Sequence, residues 1–393
     1  MTALAKTVAA ISGALLLLLL GVWWGGHPEN LPDPLRDVFV DDDRALRAEL
    51  VDSIRGSFYK PVKRSQIDEG SLKGIVNGLD DQFSQYLTPG ETREFRQSVA
   101  GELEGVGLNV EEDRRGLLVL RAFDDSPADR AGIKEGELVT EVNGKSIAGV
   151  ASEVATGRIK GPAGTMVKLE IGDPETGRTR TLDLKREKIE VPAAEGRTVP
   201  RGGRNFGVVE LTTFSEGAHG ALRAEIDQQL DAGVDGLVLD LRGNGGGLLS
   251  EAVLVSSIFL EDGLVTFTKG RTQPRREFEA EGDAIAQDVA VVVLVDRGSA
   301  SASEIVTGAL RDRKRATIVG TRTFGKGVYQ EVQPLSNGGV LDITVGEYFL
   351  PKGENIQEKG VRPTVRAVDD PDTERDEALP KALRTLAARA SKR

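Results

Sequence analysis

Cysteine is absent from the 393 residues, and histidine occurs only twice, as His27 and His219. Without a thiol there is no disulfide, no cysteine nucleophile, no zinc finger and no iron–sulfur cluster. His27 sits beside an apolar N-terminal stretch, so a triad with an imidazole base would have to use His219. No HExxH-type spacing offers a metal site. Aromatic residues are scarce at 5%, whereas apolar residues make up 39% and charged residues 29%, a globular composition without pervasive disorder. A basic excess is lacking too: 62 acidic side chains oppose 51 basic ones, a net charge of −11. That balance gives no general attraction to a phosphate backbone and argues against nucleic acid as a partner. At this length two or three domains are expected.

Val8 to Gly26 is a run of 19 residues without a charge that contains the leucines 15–20 and the pair Trp23-Trp24. It is long enough to cross a bilayer. Lys6 precedes it and no Lys or Arg follows until Arg36, a bias that places the short N-terminus in the cytoplasm. Residues 1–26 therefore read as a cytoplasmic tip and an uncleaved signal anchor, with the rest of the chain outside the cytoplasm on the periplasmic or extracellular side of the cell membrane. A cleavable signal peptide is the competing reading, but no small-x-small site closes the segment before the tryptophans. Residues 27–42, with Pro28, Pro32 and Pro34, read as a linker.

Residues 43–100 show helical spacing, with Leu46, Leu50 and Ile54 followed by Leu72, Ile75, Val76 and Leu79. They are expected to form a small helical domain. From 101 to 190 the pattern turns to short strands, including Leu138–Val142 before the turn Asn143-Gly144. A compact β-rich module is expected there. In 191–368 strands alternate with helices: strand-like Phe206–Leu211, Leu237–Leu241, Val289–Val295 and Ala316–Val319 are separated by helical segments from Ser215, Leu248 and Ser301. This is an α/β core of strand–helix–strand units in a mixed sheet. The charged tail 369–393 ends in a helix expected at the surface.

Turns after successive parallel strands collect on one sheet edge. Here they are Gly243–Gly247, Gly298–Ser301 and Thr321–Gly327, so glycines, serines and Lys326 define the candidate site. Bland readings exist for each. Ser301-Ala302-Ser303-Glu304 matches the S-x-x-E capping box, Lys326 has the usual solvated fate of lysine, and the glycines suit a tight turn. A phosphate cradle fails because Leu248 stands where G-x-G-x-x-G needs glycine. Gly320 to Lys326 fits G-x-x-x-x-G-K, but Gly327 and a strand follow where a P-loop needs Ser or Thr and a helix. Taken together, the turns suggest a serine whose base is a lysine amine, neutral because burial and a helix dipole lower its pKa. The Ala302 N–H and one from the glycine turn would form an oxyanion hole, and Gln330, four residues beyond Lys326, would orient the amine if the segment is extended.

The segments Val295–Ile305, Thr323-Phe324-Gly325-Lys326-Gly327 and Gln330 closely resemble the catalytic segments of the C-terminal processing peptidases, also called tail-specific proteases. The resemblance implies Ser301, rather than Ser299 or Ser303, as nucleophile and Lys326, 25 residues later, as general base. Gly207–Phe214 and Asp240–Gly247 also resemble family segments, the latter implying Gly246, or its neighbour Gly247, as an oxyanion donor beside Ala302. Asp312 matches a family acidic position and is given a supporting role, since eleven helical residues place it about 16 Å from Ser301. Residues 101–190 resemble a PDZ domain, with Gly105, Val106, Gly107 and Leu108 as its carboxylate-binding loop. Two segments depart from the pattern: Lys160 stands where the family often has arginine, and Leu79–Leu87 only approximates L-D-P-H-S-x-Y-L, a difference expected to affect the N-terminal fold more than catalysis.

The reading is a membrane-anchored serine endopeptidase that binds protein or peptide substrates by exposed apolar C-termini and cleaves through an acyl-enzyme. It implies no metal and no organic cofactor. A homo-oligomer or a regulatory adaptor is left open as partner. The alternatives are a non-catalytic PDZ adaptor for protein tails and acyl-CoA chemistry on a similar sheet.

Overall fold

The computed structural model describes residues 42–57, 62–285, 287–369 and 376–390, together with positions 13 and 21. The expected anchor and linker thus lie almost wholly outside the described residues. Among those described, no helix is long and apolar enough to cross a membrane.

The chain divides into two units, 1–79 and 80–393. The first contains α1 (Asp42–Ser57) and α2 (Arg64–Asn77). Helices form where the spacing predicts them, but the apolar stripe is not a core of its own: Leu46, Leu50 and Ile75 are exposed, whereas Val76 is buried. Residues 80–100 lie in the second unit.

The second unit begins with β1 (Gln85–Leu87) and α3 (Pro89–Val99). Thr88 and Glu91 complete a capping box on α3: the Glu91 N–H donates to Thr88 Oγ1 at 3.3 Å, and the Thr88 N–H to Glu91 Oε2 at 2.8 Å. The β-rich module follows as β2 (Glu102–Gly105), β3 (Leu108–Asp113), β4 (Gly116–Ala122), α4 (Pro127–Arg130), β5 (Leu138–Val142), β6 (Lys145–Ser146), α5 (Ser152–Ile159), β7 (Met166–Gly172), β8 (Thr179–Lys185) and β9 (Glu187–Glu190). Strands β3-β4-β5-β7-β8 form an antiparallel sheet with β6 beside β5, and β2 pairs with β9. Asn143 and Gly144 both take positive φ, 53° and 72°, as the Asn-Gly hairpin signal requires. Leu117, Val119, Val139, Ile147, Leu169 and Ile171 make a core separate from that of the α/β part.

The α/β part comprises β10 (Ala194–Arg201), β11 (Arg204–Leu211), α6 (Ala218–Asp231), β12 (Gly236–Asp240), α7 (Leu249–Ser257), β13 (Leu264–Gly270), β14 (Arg276–Glu279), β15 (Ala290–Val295), α8 (Ala302–Asp312), β16 (Ala316–Gly320), β17 (Val328–Pro334), β18 (Val340–Phe349), β19 (Val365–Arg366) and α9 (Ala378–Ala390). Its main sheet runs β10-β11-β12-β15-β16-β19, parallel except for the antiparallel edge β10. The seven-residue apolar run is its centre: every residue of β15 is buried, as a strand covered on both faces demands. Period two sorts its side chains. Val291, Val293 and Val295 face the cluster that holds α6, α7 and α8, while Ala290, Val292 and Leu294 face the cluster that holds α9.

That second cluster corrects the expectation of a surface C-terminal helix. Ala378, Leu379, Ala382, Leu383 and Leu386 of α9 are buried. Arg242, just past β12, anchors the entry to this helix by donating to Asp240, Asp369 and Asp376. A smaller sheet, β1-β18-β13-β14 with β17 on β18, contains both β1 and the strand after Lys326. Leu386→Ala is expected to cost about 2–5 kcal/mol in urea unfolding, whereas Arg384→Ala on the exposed side of the same helix should stay within about 0.5 kcal/mol.

Candidate active site

The ends of β12, β15 and β16 lie side by side, with Asp240 opposite Leu294 and Val295 opposite Gly320. The three expected turns therefore meet on one edge. Ser299 and Ser303 serve as joints between them. Ser299 Oγ donates to the Leu241 carbonyl at 2.7 Å and accepts the Asp296 N–H at 3.0 Å. Ser303 Oγ donates to the Asn244 carbonyl at 2.8 Å. Both serines are fully buried, and Ser301 between them is the one partly open to solvent.

Ser301 occupies the N-cap of α8, where S-x-x-E predicts it, and Glu304 Oε2 accepts the Ser301 N–H at 2.9 Å. The backbone is not that of an ordinary cap. Ser301 has φ 55° and ψ −115°, whereas N-caps are normally extended. A non-glycine residue held in such a region costs about 1–3 kcal/mol and persists only where its surroundings impose it. Gly246 is part of that enclosure: a Cβ there would stand 2.8 Å from both the Ser301 Cβ and the Ala300 carbonyl oxygen. Only a glycine lets the two turns approach so closely.

Asn244, fully buried, ties the glycine turn in place. Its Nδ2 donates to the Leu211 carbonyl at 2.6 Å, and its own carbonyl accepts the Ala300 N–H at 3.0 Å. Its Oδ1 accepts the Gly246 N–H at 2.9 Å, so the N–H expected to face an oxyanion is already engaged. The bridge between Phe214 and Gly247 runs from the Phe214 N–H to the Gly246 carbonyl and from the Leu248 N–H to the Phe214 carbonyl. It leaves the Gly247 N–H unused.

Glu304 joins the serine turn to the lysine turn. Its side chain is fully buried. Besides Ser301, its carboxylate accepts Thr323 Oγ1–H at 2.5 Å, the Gly325 N–H at 2.9 Å and the Lys326 N–H at 2.9 Å. Burial pushes its pKa above the usual carboxylate range, and the four donors pull against that rise.

Lys326 is half-buried, and desolvation lowers its pKa, while the carboxylates of Asp342 and Asp81 oppose that fall. Its Nζ lies 4.9 Å from the centroid of the Phe83 ring. In this arrangement no hydrogen bond joins Nζ to Ser301 Oγ, nor to Gln330. Gln330 Nε2 donates instead to Thr344 Oγ1 at 2.9 Å. A register shift between Tyr329 and Gln330 against β18 breaks the simple alternation on which the same-face expectation rested. Asp81, Phe83 and Asp342 were missed as site residues. The first two belong to the segment expected to matter mainly for the N-terminal fold, yet the pairing of β1 with β18 brings it over Lys326.

Other candidates lie elsewhere. The ring of His219 bonds Glu251 through Nδ1 at 2.9 Å, and no hydrogen bond links it to Ser301. Asp312 accepts from Arg311 Nε at 2.9 Å and from the Lys352 N–H at 3.3 Å, a structural role. Among the described residues no cluster of His, Asp and Glu is arranged to hold a metal. In the β-rich module Gly105 closes β2, Val106 is buried, Gly107 has φ 81° and Leu108 opens β3. The Val106 and Gly107 carbonyls accept the Ala128 and Phe123 N–H groups, both at 2.9 Å. Arg186 braces the end of α5, donating to the Ile159 carbonyl at 2.7 Å and the Arg158 carbonyl at 3.1 Å. Lys160, just beyond, is exposed on a cleft of about 810 Å³ shared with Arg93, Glu102 and Thr213.

Comparison with known proteins agrees with this architecture. Residues 205–367 match the model of peptidase family S41, and residues 96–172 match that of the PDZ domain. A probable CtpA-like serine protease of Staphylococcus haemolyticus is 34% identical over 80% of this chain and 62% of its own length. One from Staphylococcus saprophyticus is 32% identical over 93% of this chain and 71% of its own. The chain therefore spans only about three fifths of the length of the first of these relatives. The solved structure of a photosystem II D1 C-terminal processing protease is 30% identical, with a TM-score of 0.52 over 90% of this chain and 99% of that one. The chain belongs to peptidase family S41, in its CtpA-like, PDZ-bearing branch. Glu304→Ala, which leaves four donors without an acceptor, two of them buried and two part-buried, is expected to cost about 3 kcal/mol or more in urea unfolding, against about 1 kcal/mol for Ser303→Ala.

Proposed function

We propose that the protein is a C-terminal processing serine endopeptidase in which Ser301 is the nucleophile and Lys326 the general base. The observation that carries this reading is the Glu304 carboxylate, which accepts the backbone N–H groups of both residues at 2.9 Å and so holds them around one point. Ser301 Oγ attacks the scissile carbonyl and passes its proton to the neutral Lys326 amine, which returns it to the leaving amine. The C-terminal fragment departs; a water gives a proton to Lys326 as it attacks the acyl carbonyl, the bond to Ser301 Oγ breaks, and Lys326 returns that proton to Oγ, releasing the acid and the free enzyme. The oxyanion accepts from the Ala302 N–H, at the positive end of α8, and from the glycine turn. Because Asn244 engages the Gly246 N–H, the turn's contribution is assigned to the neighbouring Gly247 N–H.

Lys326 has to leave Phe83 and approach Ser301 for this step, and Gln330 would guide it once freed from Thr344. The loop Gly105–Leu108 receives a substrate's terminal carboxylate, and an apolar C-terminal segment adds to the edge of the PDZ sheet. The N-terminal apolar stretch anchors the protein in the cell membrane with this machinery on the outer side. The reading rules against a bare PDZ adaptor because Ser301 is held in a strained backbone, which tail binding does not need.

A serine-directed phosphonate should label the wild type and not Ser301→Ala; absence of label on the wild type would support the adaptor. Lys326→Arg should lower turnover of an unstructured protein with an apolar tail by at least about 100-fold, since guanidinium stays protonated. Turnover should rise with pH as Lys326 loses its proton. Asp342 stabilises the charged amine, so Asp342→Asn is expected to move the rising limb of the kcat/KM profile to lower pH. A limb that stays put or moves upward would remove Lys326 as the titrating base.

A further inference from the structure

The buried side of Ser301 carries a group that the Ser-Lys pair does not use. Tyr348, near the end of β18, is 1% exposed. Among the described residues its hydroxyl is the one buried side-chain polar atom without a hydrogen-bond partner. A buried hydroxyl in that condition costs about 1–3 kcal/mol, which a phenylalanine would avoid. The position is tightly built: the Tyr348 N–H donates to the carbonyl of Gly327, next to Lys326, at 3.0 Å, and the residue belongs to the same core cluster as Ala302 and Ile305 of α8.

Two polar groups act on that hydroxyl, the Ser301 side chain and the Glu304 carboxylate. Glu304 already accepts two donors on each oxygen, Thr323 and Gly325 on Oε1, Ser301 and Lys326 on Oε2. An ionised carboxylate has about four acceptor sites, so the acceptor left for Tyr348 is Ser301 Oγ. Burial and the negative charge of Glu304 hold the phenol well above its usual pKa, so it keeps its proton and acts as a donor.

We propose that Tyr348 is a positioning residue for Ser301, its O–H donating to Oγ from the buried side and turning the serine O–H toward the open side where substrate and Lys326 approach. In the attack the serine proton goes to Lys326 and Tyr348 keeps its own, so a fixed donor faces the oxygen as negative charge develops on it. This rests on the reading of Ser301 as nucleophile.

Tyr348→Phe is the test, with Ser301→Ala measured beside it. The expected result is a fall of about tenfold in kcat and in the rate of phosphonate labelling, corresponding to one lost hydrogen bond. KM should hold within about twofold, because the contact acts on the reacting atom and not on the bound chain. The unfolding midpoint should be unchanged or raised. Unchanged kcat and labelling with an inactive Ser301→Ala would overturn the role of Tyr348 alone, as would a lower midpoint with full turnover per folded molecule. An active Ser301→Ala would overturn the parent reading. Should Tyr348→Phe fail to fold, wild-type protein carrying 13C at tyrosine Cζ gives the answer. The chain has 4 tyrosines, and phosphonylation of Ser301 should move the resonance of Tyr348; an unmoved resonance refutes the contact.

Discussion

One buried carboxylate holds the site together. Glu304 receives a hydroxyl and three backbone N–H groups, from Thr323, Gly325, Lys326 and Ser301. Removing such a group from water is costly unless its acceptor sites are filled, and here they are filled by the two turns that must meet. The result is a rigid link between the start of α8 and the segment entering β17. It supports the positive φ of Ser301, which nothing local to a serine would favour.

The lysine side chain has more freedom than its backbone. Desolvation favours the neutral amine, while Asp342 and Asp81 favour the charged one and Phe83 offers a π face to the cation. A group balanced in this way changes protonation with a small change in surroundings. The segment 80–87 is therefore part of the electrostatics of the site, reached through the pairing of β1 with β18.

The glycine turn and the serine turn are joined through Asn244, whose backbone and side chain supply four of the contacts between β11, the glycines and α8. This explains why two of the three serines in Ser299–Ser303 are buried and occupied. Their hydroxyls serve backbone carbonyls, which leaves Ser301 as the member facing outward. On the other side of the sheet, α9 covers the strands that carry these turns, and Arg242 links its entry to β12.

Much of this was legible in the chain. Apolar runs and period-two patterning set the strands of the main sheet, because a strand covered on both faces must be apolar throughout. The order of strands and helices placed three turns on one edge, and the resemblance of the segments around Ser301, Lys326 and the glycines to those of a peptidase family pointed to the chemistry proposed for them. Other features depend on groups distant in sequence. The hydrogen bond that occupies the Gly246 N–H, the bulge that turns Gln330 to Thr344, and the burial of α9 are outcomes of packing. The same holds for Phe83 over Lys326 and for the burial of the unpartnered Tyr348 hydroxyl. Residue type and local periodicity determined which elements form and which side chains can react, since these follow from backbone geometry and hydrophobicity over a few residues. Only the tertiary structure decided which donors remain free and which charges face the amine, because desolvation and hydrogen-bond partners arise between segments that the sequence keeps far apart.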